Sequence, residues 1–215
     1  VLLMGGRPMI FNDMEPHADA ILLTWWLGTE SGNAIADIIS GDYNPSGKLP
    51  MTFPTHQGQL PLYYQYKSTG HPYASSGWCA KYIDIPSEPA FPFAFCLSYT
   101  TFEYSALKVL PGDGGKVHAR VRVEVKNTGR YEGEEVVQLY VRDESASITR
   151  PVKELKGFEK IALKPGEGKE VVFDITDEQL GFYDNRMNFV VEKGDFTFMV
   201  GTNSRDVDAV SYTLL

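Results

Sequence analysis

Between Val117 and Lys126 every odd-numbered residue is apolar and every even-numbered residue is polar. Strict alternation over this length leaves little choice of backbone. A strand puts the odd set on one face and the even set on the other, one buried and one wet. A helix would scatter the same residues around its whole circumference. Asn127-Thr128-Gly129 then ends the strand as a turn. Val136–Val141, Glu170–Ile175, Phe196–Val200 and Val210–Leu214 are further strand candidates. Turn signals separate them at Lys164-Pro165-Gly166-Glu167, Asp184-Asn185 and Lys193-Gly194-Asp195. Short strands at such intervals over residues 99–215 predict an antiparallel β-sandwich.

That stretch contains no cysteine, which argues against a disulfide-bridged immunoglobulin domain and for a fibronectin type III-like sandwich. Residues 1–64 read instead as α/β. Val1-Leu2-Leu3-Met4 is apolar from its first residue, with no charged start and no small-residue cleavage site. It reads as a buried strand entered midway through a longer chain, turned by Gly5-Gly6-Arg7-Pro8. Ala20–Leu27 is a near-continuous apolar run, the pattern of a strand buried on both faces of a parallel sheet. Beyond the Leu27–Gly32 turn, Asn33–Ile39 carries apolar residues at helical spacing, with Gly41 as its stop. Two strands and a helix cannot close a core alone, so this is expected to be the tail end of a doubly wound α/β sheet.

Residues 65–98 hold Gly and Pro among Tyr73, Trp78, Tyr82, Phe91, Phe93 and Phe95. Flexible linkers are poor in aromatics, so an ordered connector packed along a surface is predicted. Composition narrows the function. The 215 residues are 43% hydrophobic and 22% charged, ordinary for a folded domain. Lys plus Arg number 20 against 28 Asp plus Glu, a net charge of −8. That balance argues against a nucleic-acid partner and against an anionic membrane surface. No apolar run approaches the roughly 18 residues of a membrane span. Two cysteines are too few for a disulfide scaffold or a four-cysteine zinc site.

Chemistry-bearing signals are sparse. Paired-carboxylate chemistry needs two acids converging across a pocket, and the loop candidates are Glu30, Asp42, Asp84 and Glu88. Glu30 stands between a strand end and a helix start, where open α/β sheets take their ligands. Its plainer role is charge complementing the helix dipole. Gly28–Gly32 lacks both the dinucleotide glycine spacing and the Lys-Ser/Thr of a phosphate loop. None of His17, His56, His71 and His118 is spaced with a cysteine or second histidine as a ligand pair, so no metal site and no cofactor are expected. His118 falls on the wet face of its strand. His71, in Gly70-His71-Pro72-Tyr73, is either a pocket residue or turn punctuation. Cys79 and Cys96 are a pairing option in an oxidising compartment. Trp25, Trp26 and Trp78 offer rings for a sugar, although at least one of the first two is expected in the core.

Longer strings carry more. His17–Leu22, Gly28–Asp37, Gly41-Asp42-Tyr43-Asn44-Pro45-Ser46-Gly47-Lys48-Leu49-Pro50-Met51-Thr52-Phe53-Pro54, Leu60–Tyr64 and Phe91–Phe102 resemble, in order, the late second domain of glycoside hydrolase family 3. Gly133–Val141, Arg150–Phe158 and Val200–Asp206 extend the resemblance through that family's fibronectin type III-like domain. The family is mostly β-glucosidases and β-xylosidases. The resemblance implies a (β/α)₈-type barrel ahead of this chain as its partner, and a β-linked oligosaccharide or glycoside as substrate. It implies retaining hydrolysis, with an aspartate nucleophile on the barrel and a glutamate acid/base on a second-domain loop, both before Val1. No catalytic residue is therefore carried onto this sequence. Glu30 and His71 are its rim candidates for substrate. A periplasmic or secreted location is implied by the same family habit, and a homodimer is left open.

Two departures stand out. Ala94-Phe95-Cys96 replaces the family's usual Gly-Tyr-Gly, so Ala94 and Cys96 are expected to be strained unless the connector differs here. His71 replaces a usual Arg. Two alternatives to a supporting role remain at this stage. A carbohydrate-binding module would need an exposed aromatic platform, and the alternating strands put few aromatics on wet faces. A protein-interaction or dimerisation module is the other.

Overall fold

The alternation of Val117–Lys126 becomes β4 (Val117–Asn127) in the computed structural model, which describes residues 1–70 and 81–215. Ala119, Val121, Val123 and Val125 are all essentially inaccessible, as the period-2 pattern requires. Around it stand β3 (Phe102–Pro111), β5 (Gly133–Asp143), β6 (Glu154–Leu163), β7 (Gly168–Thr176), β10 (Gly194–Gly201) and β11 (Val207–Leu214). They form two antiparallel sheets, β3-β4-β7 and β11-β10-β5-β6. Val121 pairs with Phe173 and Val123 with Val171 in the first; Leu139 pairs with Val200 and Val141 with Phe198 in the second. These inward faces meet as one apolar core. The three-plus-four arrangement is the fibronectin type III-like sandwich the strand pattern predicts.

Two strands escaped the alternation rule. In β3 the core-facing residues are Phe102 and Tyr104, then Leu107 and Val109. A bulge with Ala106 at φ +54° shifts the register between Ser105 and Lys108 and inverts the phase. In β6 the run is interrupted by Gly157, where a Cβ would lie 3.1 Å from the Phe173 ring of the opposite sheet. Between β7 and β10 lie a single helical turn, α2 (Asp177–Leu180), and a small hairpin of β8 (Phe182–Tyr183) and β9 (Phe189–Val190).

The predicted turn at Asn127 carries more than a change of direction. Asn127 is fully buried; its Nδ2 donates to the carbonyls of Tyr131 and Leu163. Its Oδ1 accepts from Thr100 Oγ1 at 2.6 Å and from the Gly129 amide at 3.0 Å. A side chain at Gly129 would meet Thr100 Oγ1 at 2.2 Å.

In the N-terminal stretch β1 (Leu2–Leu3) and β2 (Leu22–Leu23) pair in parallel, and α1 (Ser31–Ser40) follows. Gly41 takes the left-handed conformation at φ +84°, closing the helix as expected. The expectation that the whole of Ala20–Leu27 is one strand is corrected in length. Only Leu22 and Leu23 pair, both half-buried, and Trp26 and Leu27 are exposed. The chain leaves the strand at Trp25, whose φ is +55°.

In the described part of residues 65–98 the aromatic side chains pack against their neighbours. Phe91 forms a bridge with Phe53, and its ring lies 5.0 Å from Phe95 and 5.6 Å from Phe11. Phe93 stacks on Tyr64 at 4.5 Å, and Tyr64 meets Tyr140 edge-on at 5.8 Å. This cover explains why β5 is buried on both faces. Val137, Leu139 and Val141 face the sandwich core, while Gln138 and Tyr140 are sealed from outside. Neighbours on β7 test the two-faced reading directly. Val171→Ala, at 1% exposure, should cost about 2 kcal/mol of unfolding free energy in urea titration, and Val172→Ala, at 40%, about 0.5 kcal/mol or less.

Candidate functional site

Two places could bear on function: the ends of the parallel strands, and the joint between the α/β stretch and the sandwich. The strand ends come first. Past β2 the chain turns sharply at Trp25, whose φ is +55°. Trp25 packs inward, edge-on to Phe53 at 6.1 Å, and Trp26 points out. Thr24 Oγ1 donates to the Leu3 carbonyl and ties the two strand ends together. Glu30 occupies the N-cap position of α1, exposed, and its carboxylate accepts from Asn33 Nδ2 rather than from the helix backbone. Asp42, which accepts from Ser40 Oγ, and Asp84 and Glu88 are exposed on other loops. His71, Trp78 and Cys79 lie outside the described residues. Two histidines have structural partners. His118 Nε2 stands 2.6 Å from Asp177 Oδ1, so this wet-face residue is half-buried and paired rather than simply solvated. His56 Nδ1 accepts from the Gly58 amide at the start of a short 3₁₀ turn.

The joint is built more tightly. Asn44, Ser46 and Lys48, from the loop after α1, each reach the start of β5 or the turn before it. Asn44 Nδ2 donates to the Glu132 carbonyl at 2.9 Å, and Ser46 Oγ donates to Glu134 Oε2 at 2.9 Å. Lys48 Nζ lies 2.8 Å from Glu135 Oε1 and 2.7 Å from Thr202 Oγ1. Glu135 Oε1 also accepts from Tyr104 Oη and Thr202 Oγ1. The Lys48 and Glu135 side chains are only 12% and 7% exposed. Burial, and then the charge of Glu135, push the Tyr104 phenol up. Glu134, on the wet side, is held below the usual carboxylate range, first by Lys160 and then by Ser46. Glu135 shares the phase of Val137, Leu139 and Val141, so strand parity alone marks it as a buried acid in need of a cation. The sequence carries that signal, although no motif draws attention to it.

A second clasp joins the connector to both units. Ala94 N donates to Leu49 O, Leu49 N to Phe95 O, and Ser204 N to Phe93 O. Gln59, buried, donates to the carbonyls of Pro86 and Glu88. Lys153 Nζ donates to Ser204 O, and burial lowers its affinity for a proton. A cleft of about 140 Å³ remains, lined by Leu49, Phe93, Ala94, Val136, Leu155 and Phe158 among others. The expected strain at the departed glycines is half realised. Ala94 is buried at φ +64°, in the left-handed region, and Cys96 has an ordinary φ. The Cys96 thiol donates to Leu97 O, and burial pushes its pKa up.

These geometries position rather than react. The aromatic pair exposed on the sandwich hairpin, Tyr183 and Phe189, meets at 65°, not as a flat platform for sugars.

Both stretches of the chain match known domains. Residues 1–99 match the glycosyl hydrolase family 3 C-terminal domain and residues 135–204 a fibronectin type III-like domain. A periplasmic beta-glucosidase of Salmonella typhimurium is 48% identical over the whole of this chain, which covers 29% of that protein. A putative beta-xylosidase of Formosa agariphila is 42% identical, again over the whole chain and 28% of its own length. The crystal structure of a beta-glucosidase from Listeria innocua in complex with glucose superposes with a TM-score of 0.93 at 41% identity, covering 99% of this chain and 30% of that one. The chain therefore belongs to glycoside hydrolase family 3. It corresponds to the C-terminal portion of the family's enzymes and spans about three tenths of the length of these relatives.

Two outcomes follow from the joint. Lys48→Met should cost about 3 kcal/mol by leaving Glu135 buried and unpaired. Combined with Glu135→Gln, the loss should fall about 1–3 kcal/mol short of the sum of the single losses in urea unfolding. Ala94→Gly should raise stability by about 0.5–1 kcal/mol, seen as a higher melting temperature, because glycine adopts φ +64° without the Cβ clash.

Proposed function

We propose that this chain supports a retaining β-glycosidase, most closely a β-glucosidase, which removes terminal β-linked sugars from oligosaccharides or glycosides. One observation carries the reading: the chain aligns from end to end with beta-glucosidases, at 48% identity in sequence and a TM-score of 0.93 in structure. The family resemblance carries no catalytic residue onto this chain, which spans about three tenths of its relatives, so the chemistry is assigned to the part it does not span. Residues 1–64 are read as the closing part of an α/β domain, 65–98 as its connector and 99–215 as a sandwich that holds the two in register. Glu30 and His71 are the rim positions assigned to substrate, Glu30 because it is exposed on the strand-end loop. A periplasmic or secreted location follows the Salmonella relative.

Rigid support matters because small displacements of catalytic groups are costly in rate. The test uses p-nitrophenyl β-glucoside and β-xyloside with two proteins, the full-length gene product and the 215-residue chain. Hydrolysis by the first and none by the second is expected. Turnover by the chain alone overturns the supporting role, and no turnover by the full-length protein overturns the activity.

A further inference from the structure

The chain crosses from the α/β stretch into the sandwich at Ser98-Tyr99-Thr100-Thr101, and each of these residues is hydrogen-bonded to one unit or the other. Ser98 Oγ and Tyr99 N both donate to Asn44 Oδ1, at 2.8 and 2.9 Å. Tyr99 Oη donates to Ile38 O, which also accepts the capping amide of Gly41. Thr100 and Thr101 bond to the sandwich instead. Thr100 Oγ1 donates to the fully buried Asn127. Thr101 O accepts from Thr128 N at 2.8 Å, and the two threonine hydroxyls meet at 2.9 Å. One short segment therefore clasps both units.

The first turn of α1 is tied to the loop before it. Ala34 N donates to Glu30 O at 3.0 Å, and Ser31 N to Gly28 O at 3.1 Å. The Glu30 carboxylate accepts from Asn33 Nδ2. Main chain and side chain of Glu30 thus move with the helix. Ile38 lies about 12 Å further along the axis, at 1.5 Å per residue. A continuous helix between the two is a rigid element through which a shift at one end reaches the other.

Resting on the β-glycosidase reading and on Glu30 as a rim position, we infer that Tyr99 is a positioning residue. It touches no substrate and acts through α1 on Glu30 and the loop Gly28–Glu30. The phenol is the working part, because of these crossing contacts only the one from Oη ends on the helix itself. Sites this far apart contribute independently unless something rigid joins them. Coupling between Tyr99 and Glu30 therefore reports the helix, which a general role in packing would not produce.

The test measures kcat/KM of the full-length enzyme on p-nitrophenyl β-glucoside in Tyr99→Phe, Glu30→Gln, their combination, and Thr101→Val. Tyr99→Phe removes only the hydroxyl and should lower kcat/KM about three- to ten-fold. Thr101→Val loosens the same crossing on its sandwich side and should stay within about two-fold of the unsubstituted enzyme. Glu30→Gln should lower the rate, and adding Tyr99→Phe to it should cost nothing further. An unchanged rate in Tyr99→Phe overturns the inference. So do equal losses in Tyr99→Phe and Thr101→Val, single losses that multiply in the combination, or a Glu30→Gln enzyme as fast as the unsubstituted one. Each of these leaves the β-glycosidase reading standing, whereas no hydrolysis by the unsubstituted enzyme removes that reading and this one together.

Discussion

A lysine and a glutamate, both almost out of water, hold this molecule's parts in one arrangement. Taking Lys48 and Glu135 out of solvent is expensive, and their attraction offsets that cost only with good geometry and further hydrogen bonds. Thr202 and Tyr104 complete the set, so four side chains from four separate segments must be in place at once. The pair adds little net stability over an apolar substitute. Its value lies in excluding other dockings, because any slip of the post-helix loop along β5 strands a charge in a dry site. The neighbouring Asn44 and Ser46 contacts fix the same register by ordinary hydrogen bonds.

Legibility in the sequence follows from how many constraints act on each segment. β4 has one wet face and one dry face and nothing else to satisfy, so its alternation is clean. β5 is covered on both sides, and Val136-Val137-Gln138-Leu139-Tyr140-Val141 accordingly reads as a nearly unbroken run with one polar insertion. β3 hides because a bulge inverts its phase midway, and β6 because Gly157 makes room for Phe173. Local periodicity cannot register either event, since both are set by a partner distant in sequence. Ala20–Leu27 shows the opposite failure. Its composition is that of a buried strand, yet only Leu22 and Leu23 pair, because the backbone leaves the strand at Trp25 with φ +55°.

The functional residues divide in the same way. Glu30 was singled out from its place between strand and helix, and it does stand at the helix start with an exposed carboxylate. Glu135 belongs to no motif, although its parity with Val137 and Leu139 puts an acid where only apolar side chains belong. A charged residue in phase with a buried face is a sequence-level sign of a partner elsewhere, and here that partner is Lys48, far upstream. Ala94 was flagged only through resemblance to a family pattern, because nothing local in Phe93-Ala94-Phe95 announces a left-handed backbone.

The phenol of Tyr99, at the threshold of the sandwich, donates to the carbonyl of Ile38 in the last turn of α1 at 2.6 Å. A helix of this length behaves as a stiff rod about 15 Å long. Grip at its trailing end therefore dictates where its leading end points, and that leading end carries Glu30. Through this lever the all-β domain, which touches no substrate in the reading above, would still have a say in the aim of the strand-end loop.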